Sequence, residues 1–428
     1  MRRILHLMLA VSATMVCALS SAAAAGPSIL FDSRTGQVIE SDRPFDRWYP
    51  ASLTKLMTTY VAFRMVETGE VTFLSPVRMT RAAANQPPSK MGYKPGTVMT
   101  LDTALKIIMV KSANDVSAAI ADSLSGSAEA FASRMNAESR RLGMTDSNWV
   151  NAHGLHDDNQ YTTARDLAIL SAALRNEFPQ YADYFAIEGL RFGDQVIPSH
   201  NRIVGTYDGA DGMKTGYTCP SGYNLVASAT REGRTLMAIV LGATSVKSRT
   251  QDAARMLETG FASPNAGAMT LAALKPGSAQ SAEPVNMRAD LCTKAGSEKL
   301  RKRERELLAK KKKDGTLEQP VQLAKRTSRE LVDIKLGGAT GPATPAVAAA
   351  LAEEAAIAAA EAAKLVREEL LLYRQDMMIA RGRASLPADE AELARANGGI
   401  PLPTWRPDQP PPAGTEPVAM EGNSADAG

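Results

Sequence analysis

The chain has 428 residues, a length that fits two average domains or one larger domain with extensions. Hydrophobic residues make up 44% of the sequence, enough to build a sizeable buried core. The formal net charge is only +3, so charge gives no reason to expect a nucleic-acid partner, and we expect none.

The first 25 residues have the features of a secretory signal peptide. Arg2 and Arg3 precede an apolar run over residues 4–19, and small residues follow up to Ala25. This pattern predicts export to the periplasm or the exterior of the cell envelope, with cleavage near Ala25. The alternative is a retained anchor, for which the apolar run is short.

From Ser28 to about Asn265, short β-patterned runs alternate with helical ones. Hairpins are predicted over 29–39 and 225–241, at the two ends of this region. A helix is predicted to begin near Ser52 and end by Gly69. Further helices are predicted over 101–109, 116–124, 128–142 and 163–174. The order predicts a mixed α/β (α+β) fold with one antiparallel sheet built from both ends and a helical lobe.

The composition changes after about Asn265, so residues 26–265 are predicted to form one domain. Residues 266–345 are predicted to be a mostly disordered linker, with Lys, Arg and Glu concentrated over 297–313. Residues 346–382 are rich in alanine and predict a helix. Residues 383–428 are rich in proline and predict a disordered tail.

Two cysteines follow the predicted cleavage site, Cys219 and Cys292. An exported compartment permits a disulfide. A single candidate pair is weak support for one, however, because Cys292 lies in the predicted linker. We therefore expect two free thiols.

Ser52 and Lys55 form the only Ser-x-x-Lys of the chain, at the start of the best amphipathic helix. Three residues apart on a helix, the two side chains lie on one face, so the amine can reach the hydroxyl. The positive end of the helix favours negative charge developing on that hydroxyl. The pattern predicts a nucleophile with its base, and the alternative is a capping serine followed by a surface lysine.

Ser112 and Asn114 form a Ser-x-Asn in the short connection between the helices predicted over 101–109 and 116–124. Two polar side chains in such a connection can point into a cleft. The same pattern occurs at 199–201 and 263–265, where turn chemistry is the preferred interpretation.

Lys214, Thr215 and Gly216 follow a glycine-containing turn and lead into the last predicted hairpin, so we expect them on an edge strand. There the lysine and the threonine hydroxyl suit a substrate carboxylate, while the glycine lets a ligand backbone approach closely. An ordinary strand start is the alternative interpretation.

Neither a metal nor a cofactor is predicted. Three histidines follow the predicted signal peptide, His153, His156 and His200, and the sequence contains no His-Glu-x-x-His. His153 and His156 are expected to pack in a loop or cleft.

The three motifs, in this order and spacing, resemble the signature of penicillin-binding proteins and serine β-lactamases. The surrounding sequence is similar to the low-molecular-mass D-alanyl-D-alanine carboxypeptidases over residues 28–263. The similar blocks are 50–58, 110–115, 151–155, 161–166, 211–218 and 222–227. A Glu-x-x-Leu-Asn block, as in class A β-lactamases, is missing because the sequence contains no Leu-Asn. The resemblance implies a β-lactamase/penicillin-binding-protein-like fold with a C-terminal, largely disordered or helical extension.

The resemblance also implies a two-step acyl transfer. Ser52 would attack the D-Ala-D-Ala carbonyl, with Lys55 as general base at a depressed pKa. Ser112 would relay the proton to the leaving D-alanine. Backbone N–H groups of Ser52 and Tyr217 would form the oxyanion hole.

Substrate binding is implied for four further positions. Asn114 would hold the side amide of the substrate. Lys214 and Thr215 would bind the terminal carboxylate beside Gly216, which favours carboxypeptidase over endopeptidase action.

The implied partners are peptidoglycan pentapeptides ending in D-Ala-D-Ala and β-lactam antibiotics. The basic stretch over 297–313 is expected to contact an anionic wall polymer or lipid, and the region after about Asn265 to be a dispensable appendage. Two alternatives stay open: an endopeptidase of the same family, and a wall-associated binding or scaffold protein on the same fold.

Overall fold

A computed structural model describes residues 26–263, 269–277 and 283–380. Its strands are β1 (Ser28–Asp32), β2 (Val38–Asp42), β3 (Pro76–Arg78), β4 (Val98–Thr100), β5 (Gly189–Phe192), β6 (Gln195–Pro198), β7 (Ala210–Thr218), β8 (Gly222–Arg231), β9 (Arg234–Ala243) and β10 (Leu331–Asp333). Its α-helices are α1 (Thr54–Glu67), α2 (Arg81–Ala84), α3 (Leu101–Val110), α4 (Asn114–Ser125), α5 (Ala128–Leu142), α6 (Ala164–Asn176), α7 (Asp183–Ala186), α8 (Val246–Ala262), α9 (Arg288–Leu291), α10 (Lys294–Lys313) and α11 (Pro345–Ala380). Single 3₁₀ turns cover Ala51–Leu53 and Pro179–Tyr181.

The main sheet has the order β2-β1-β9-β8-β7, and each neighbouring pair is antiparallel. Its tightest connection, between β8 and β9, is made by Glu232 and Gly233, both with positive φ. Such a two-residue turn matches the right-handed twist of the flanking strands. Because β1 pairs with β9, the sheet is built from both ends of the domain, and the predicted fold class is confirmed.

Helices cover both faces of this sheet. On one face α8 packs its Ala253, Met256 and Leu257 against β8 and β9. On the other face α1 lies inside the helical lobe, and residues on both sides of the helix, among them Leu56 and Thr58, are fully buried. The sequence predicted a single apolar stripe for α1. The helix is instead enclosed by α3, α4, α5 and α6, as expected for a helix without a solvent-facing side.

The described part of 266–345 contacts the rest of the domain at several points, which differs from the expectation of a mostly disordered linker. Val321 and Leu323 pack against the core beneath α8. Strand β10 then pairs parallel with β5, and Ile334 behind it is only 7% exposed. Gly341 donates its N–H to the carbonyl of Leu74 at 3.0 Å. The apolar residues form two short alternating groups, Val321 with Leu323 and Val332 with Ile334 and Leu336, and a polar stretch separates the groups.

Cys219 and Cys292 form a disulfide, so the expectation of two free thiols is wrong. Their Cα atoms are 5.9 Å apart although 73 residues separate them in sequence. The approach is set by Met287, whose N–H donates to the carbonyl of Pro220 at 2.9 Å. Because this contact is tertiary, nothing in the local sequence around Cys292 indicated it.

The predicted helix over 346–382 corresponds to α11, which from Ala348 onward belongs to a second unit. Apolar side chains such as Leu365, Leu372 and Tyr373 are exposed on it. Within the described ranges, no helix has both the length and the apolar character needed to cross a membrane. The predicted signal peptide (1–25) and proline-rich tail (383–428) lie outside the described residues.

Candidate active site

Ser52 lies in the 3₁₀ turn immediately before α1, two residues ahead of the helix itself. Ala51 adopts φ +48°, a left-handed conformation that non-glycine residues rarely use. Two contacts hold this turn: Thr54 Oγ1 donates to the Ala51 carbonyl at 2.8 Å, and Asn224 Nδ2 donates to the Tyr49 carbonyl at 3.0 Å. Backbone strain of this kind concentrates at functional sites, where the surrounding structure enforces it.

Lys55 is fully buried and directs its amine at three oxygens. Nζ lies 3.2 Å from Ser52 Oγ, 2.8 Å from Asn114 Oδ1 and 2.6 Å from the carbonyl of His153. Burial is the main reason that the pKa of Lys55 lies well below its ordinary value, and the nearby Lys214 cation lowers it further, against an opposing effect of Asp115. A neutral amine at this distance can accept the proton of the Ser52 hydroxyl.

Ser112 stands at the entrance to α4 with φ +61° and is 5% exposed. Among the described residues, its Oγ has no hydrogen-bond partner. A buried hydroxyl without a partner costs about 1–3 kcal/mol, so the position favours a group that arrives with the substrate.

Asn114 begins α4 and uses both ends of its amide. Its Oδ1 accepts from Lys55 at 2.8 Å, and its Nδ2 donates to the carbonyl of Pro87 at 3.0 Å. The amide nitrogen carries two hydrogens, so one N–H remains for a substrate carbonyl. Asn114 therefore orients the base and keeps a donor.

Lys214, Thr215 and Gly216 lie on β7, which is the edge strand that the sequence predicted. Lys214 is buried, and its Nζ donates to the carbonyl of Thr215 at 3.1 Å. Burial, and then the charge of Arg249, lower the pKa of Lys214 to about 7.

Gly216 brings the edge strand against the turn that carries Ser52. A Cβ at this position would lie 3.0 Å from the Pro50 carbonyl oxygen and 3.1 Å from the Ser52 backbone nitrogen, so any side chain would push the two apart. The next residue, Tyr217, has a side chain that is 43% exposed at the edge of the site. The structure thus brings together Ser52, Lys55, Ser112, Asn114, Lys214, Thr215, Gly216 and Tyr217 around one edge of the sheet.

Arg249 on α8 belongs to the site although sequence reasoning missed it. Its Nη1 donates to the carbonyls of Gly216 at 3.1 Å and Asn224 at 3.2 Å, behind the edge strand. His200 lies in the same cationic environment: burial, with Lys214 as the next cause, lowers its pKa to about 4. No local motif surrounds Arg249, whereas Asn224 stands in the block 222–227 that resembles the family.

Asp115 and His153 both lie near the Lys55 amine. The Asp115 carboxylate accepts from the backbone N–H groups of Met91 at 3.0 Å and Gly92 at 2.8 Å, which fixes the loop beside α4. Burial and the Lys55 charge lower the pKa of His153 to about 3, so its ring is neutral near neutral pH. In the described ranges, no cluster of three or more His, Cys, Asp or Glu side chains is arranged to hold a metal ion.

Known proteins share this arrangement of sequence and fold. Residues 13–245 match the peptidase S11 family model, described as D-alanyl-D-alanine carboxypeptidase. The chain is 34% identical over 240 residues to D-alanyl-D-alanine carboxypeptidase DacC of Escherichia coli, which covers 54% of this chain and 60% of that protein.

Two solved structures are similar as well. Penicillin-binding protein 5 of Haemophilus influenzae has 32% identity and a TM-score of 0.54, covering 56% of this chain and 71% of that one. Penicillin-binding protein D2 of Listeria monocytogenes, in its cefotaxime-bound form, has 26% identity and a TM-score of 0.51, covering 55% of this chain and 97% of that one.

These similarities span more than half of the chain but only about three fifths of the E. coli relative. The fold they share is that of the penicillin-binding proteins, and the motif residues of this chain lie within the matched region. The chain belongs to the D-alanyl-D-alanine carboxypeptidase family of serine peptidases.

Proposed function

We propose that this protein is a serine D-Ala-D-Ala carboxypeptidase that removes the terminal D-alanine from peptidoglycan peptides and is acylated by penicillins. The observation that carries the proposal is the buried Lys55 amine, 3.2 Å from the Ser52 hydroxyl, with a pKa held well below its ordinary value. A fully buried lysine is costly to a fold. A chain that served only as a scaffold would not require one beside a serine.

In the acylation step, the Lys55 amine takes the Ser52 proton as Oγ attacks the carbonyl of the penultimate D-alanine. The oxygen of that carbonyl gains negative charge, which the backbone N–H groups of Ser52 and Tyr217 stabilise. Ser112 relays that proton from Lys55 to the leaving nitrogen, the carbon–nitrogen bond breaks, and free D-alanine departs. Water then attacks the carbonyl of the Ser52 ester and gives a proton to Lys55. Lys55 returns this proton to Ser52 Oγ as the ester bond breaks, which restores the serine and releases the shortened peptide.

Recognition of a free carboxyl terminus is assigned to Lys214 and Thr215. Lys214 is buried and backed by the Arg249 guanidinium, which makes this edge of the sheet electropositive. A buried cation gains more from a carboxylate than an exposed one does, because water competes less. Substrates with a free terminal carboxylate are therefore preferred, which separates this proposal from endopeptidase activity.

We place the protein outside the cytoplasm, as the N-terminal sequence predicts, and assign its basic stretch to an anionic wall polymer or lipid. Helix α10 contains ten basic and three acidic residues and is largely exposed. Its Glu304 accepts a hydrogen bond from Thr244, next to the N-terminus of α8. This contact keeps the positive charge beside the catalytic region.

The proposal is tested by labelling with a fluorescent penicillin and by release of free D-alanine from a pentapeptide. Wild type should be labelled and should release D-alanine, whereas Ser52→Ala should do neither. A second substrate, a cross-linked peptide dimer without a free D-Ala-D-Ala terminus, should be cleaved much more slowly. Preferential cleavage of the dimer would assign the protein as an endopeptidase, and labelling without turnover would favour a binding role.

A further inference from the structure

One wall of the candidate site is built by residues that lie beyond the family match. The match ends at residue 245, whereas Met287 and Cys292 follow it. Cys292 is bonded to Cys219, which comes directly after β7 in the turn to β8. The bond therefore fastens a later segment to the end of the strand that carries Lys214 and Thr215.

The disulfide contacts Tyr217, the exposed tyrosine of the site. Tyr217 Oη lies 3.4 Å from Cys292 Sγ and 4.0 Å from Cys219 Sγ. The other side of the Tyr217 ring packs on Tyr223, with the ring centroids 4.3 Å apart. The Tyr217 ring is thus held between Tyr223 and the disulfide.

Met287 makes the second attachment to the same turn. Its N–H donates to the Pro220 carbonyl at 2.9 Å, and its Sδ lies so close to Gly222 that a Cβ there would meet it at 2.7 Å. Gly222 also has φ +66°, so both the available space and the backbone conformation favour a glycine at this position. Met287 and Cys292 therefore hold the turn from two points, one on each side of α9.

The proposed function fixes the direction in which a peptide would lie along β7. Its terminal carboxylate is held at Lys214 and Thr215, and its reacting carbonyl stands where Gly216 meets the Ser52 turn. The residues that precede the terminal D-Ala-D-Ala pair must then continue past Tyr217 toward Cys219. That end of the strand is where the disulfide lies.

We propose that Met287–Cys292, fixed by the Cys219–Cys292 disulfide, is a specificity-determining wall for the peptide residues that precede D-Ala-D-Ala. This inference rests on the proposed function of the site. The apolar surface offered there, an aromatic ring beside two sulfur atoms and a methionine, suits an aliphatic side chain on an extended peptide. Met287 and the two cysteines act as positioning residues, because they hold the turn and the Tyr217 ring.

The test compares two substrates that differ only in the residues that precede D-Ala-D-Ala, which is the part expected to contact Met287–Cys292. One is N-acetyl-D-Ala-D-Ala, and the other carries two additional residues, one of them with a long aliphatic side chain, before the same D-Ala-D-Ala. The readout is the ratio of kcat/KM for the long substrate to that for the short one, measured by D-alanine release. The full chain is used in its oxidised form, as wild type and as the double variant Cys219→Ser/Cys292→Ser.

We expect the ratio to fall at least about fivefold in the double variant, mainly through a higher KM for the long substrate. Met287→Ala keeps the disulfide and should lower the same ratio, which covers the case in which the double variant does not fold. The control Met269→Ala removes an exposed methionine beside Val38 of β2, at the opposite edge of the main sheet from β7, and should leave the ratio as in wild type.

An unchanged ratio in both variants would overturn the proposal, and so would an equal fall for both substrates, since that indicates a purely structural role. The proposed function fails in a different way. A wild-type chain that releases D-alanine from neither substrate contradicts the carboxypeptidase activity itself, whatever the variants do.

Discussion

The Arg249 guanidinium donates a hydrogen bond to the carbonyl of Gly216 at 3.1 Å, from behind the strand that faces Ser52. This contact joins α8, which follows the family match, to the point where the edge strand approaches the Ser52 turn. It also places a second buried cation near Lys214, whose pKa is lowered to about 7 by burial and then by Arg249. The charge of the candidate carboxylate-binding group therefore depends on a residue that is not expected to touch substrate.

Ser52 is predicted to be the residue that penicillin acylates. Mass spectrometry after penicillin treatment should find the drug on the tryptic peptide that contains Ser52. Lys55→Ala should abolish acylation as completely as Ser52→Ala, because a nucleophile and its base act as a unit. The control Lys106→Ala removes a lysine paired with Asp102 outside the site and should be acylated normally. Drug found on Ser112 would contradict the assignment.

Lys214→Ala is predicted to lower kcat/KM for a D-Ala-D-Ala peptide at least about tenfold. The variant loses a charge-assisted hydrogen bond to the substrate carboxylate, which is worth about 2–4 kcal/mol in transition-state binding. Steady-state D-alanine release measures the effect, with Lys106→Ala again as the control. Unchanged turnover would remove Lys214 from the carboxylate-binding role.

The two buried lysines predict a profile in which kcat/KM first rises and then falls as pH increases. Lys55 must be neutral to act as a base, so kcat/KM should rise as pH increases through its lowered pKa. Lys214 must be charged to bind a carboxylate, so kcat/KM should fall as pH increases above about 7. Lys214→Arg keeps its charge over this range and should lose the alkaline limb. An alkaline limb that survives in this variant would assign it to another group.

Arg249→Met is predicted to move the alkaline limb toward higher pH. Without the neighbouring guanidinium charge, the pKa of Lys214 should rise toward its ordinary value. The same variant leaves the carbonyls of Gly216 and Asn224 without their donor, at about 1–3 kcal/mol each. Its free energy of unfolding should therefore fall in a denaturant titration. A limb that stays in place would show that Arg249 supports the strand without tuning Lys214.

Two truncated chains should show that the segment before Val347 stabilises the fold and that the second unit does not. A chain that ends after Val347 keeps β10 and the buried Ile334 and should unfold at nearly the same temperature as the full chain. A chain that ends after Ser263 exposes the edge of β5 and the core beneath α8, and it should unfold at a clearly lower temperature. Equal melting temperatures for the two truncated chains would restore the earlier expectation that the segment is dispensable.

The sequence predicted the strands, turns and helix starts that depend on residues close together in the chain. Two apolar runs on either side of the Glu232 and Gly233 turn predicted the hairpin of β8 and β9, and the edge position of β7 was predicted from the turn before it. Ser52 was expected at the first turn of a helix, and it lies in the 3₁₀ turn that precedes α1. These features depend on neighbours within a few residues, which a single sequence displays.

What the sequence did not predict depends on contacts between distant parts of the chain. Val321 and Ile334 belong to short apolar groups in an otherwise polar segment, and only the tertiary structure shows which parts of the core these groups contact. The partner of Cys292 could not be identified, because the Met287 contact that brings it to Cys219 is tertiary. Arg249 could not be identified either, because its role depends on tertiary hydrogen bonds to the carbonyls of Gly216 and Asn224.

The pairing of β1 with β9 has a consequence for when the candidate site is complete. Ser28 lies opposite Val240, so the sheet can close only after the chain has been synthesised as far as β9. Asn224, which grips the backbone just before Ser52, arrives equally late. A chain that lacks these strands therefore holds Ser52 and Lys55 without the part of the sheet that completes their surroundings. On the proposed function, we therefore expect an incomplete chain to be unreactive toward penicillin until β8 and β9 have joined the sheet.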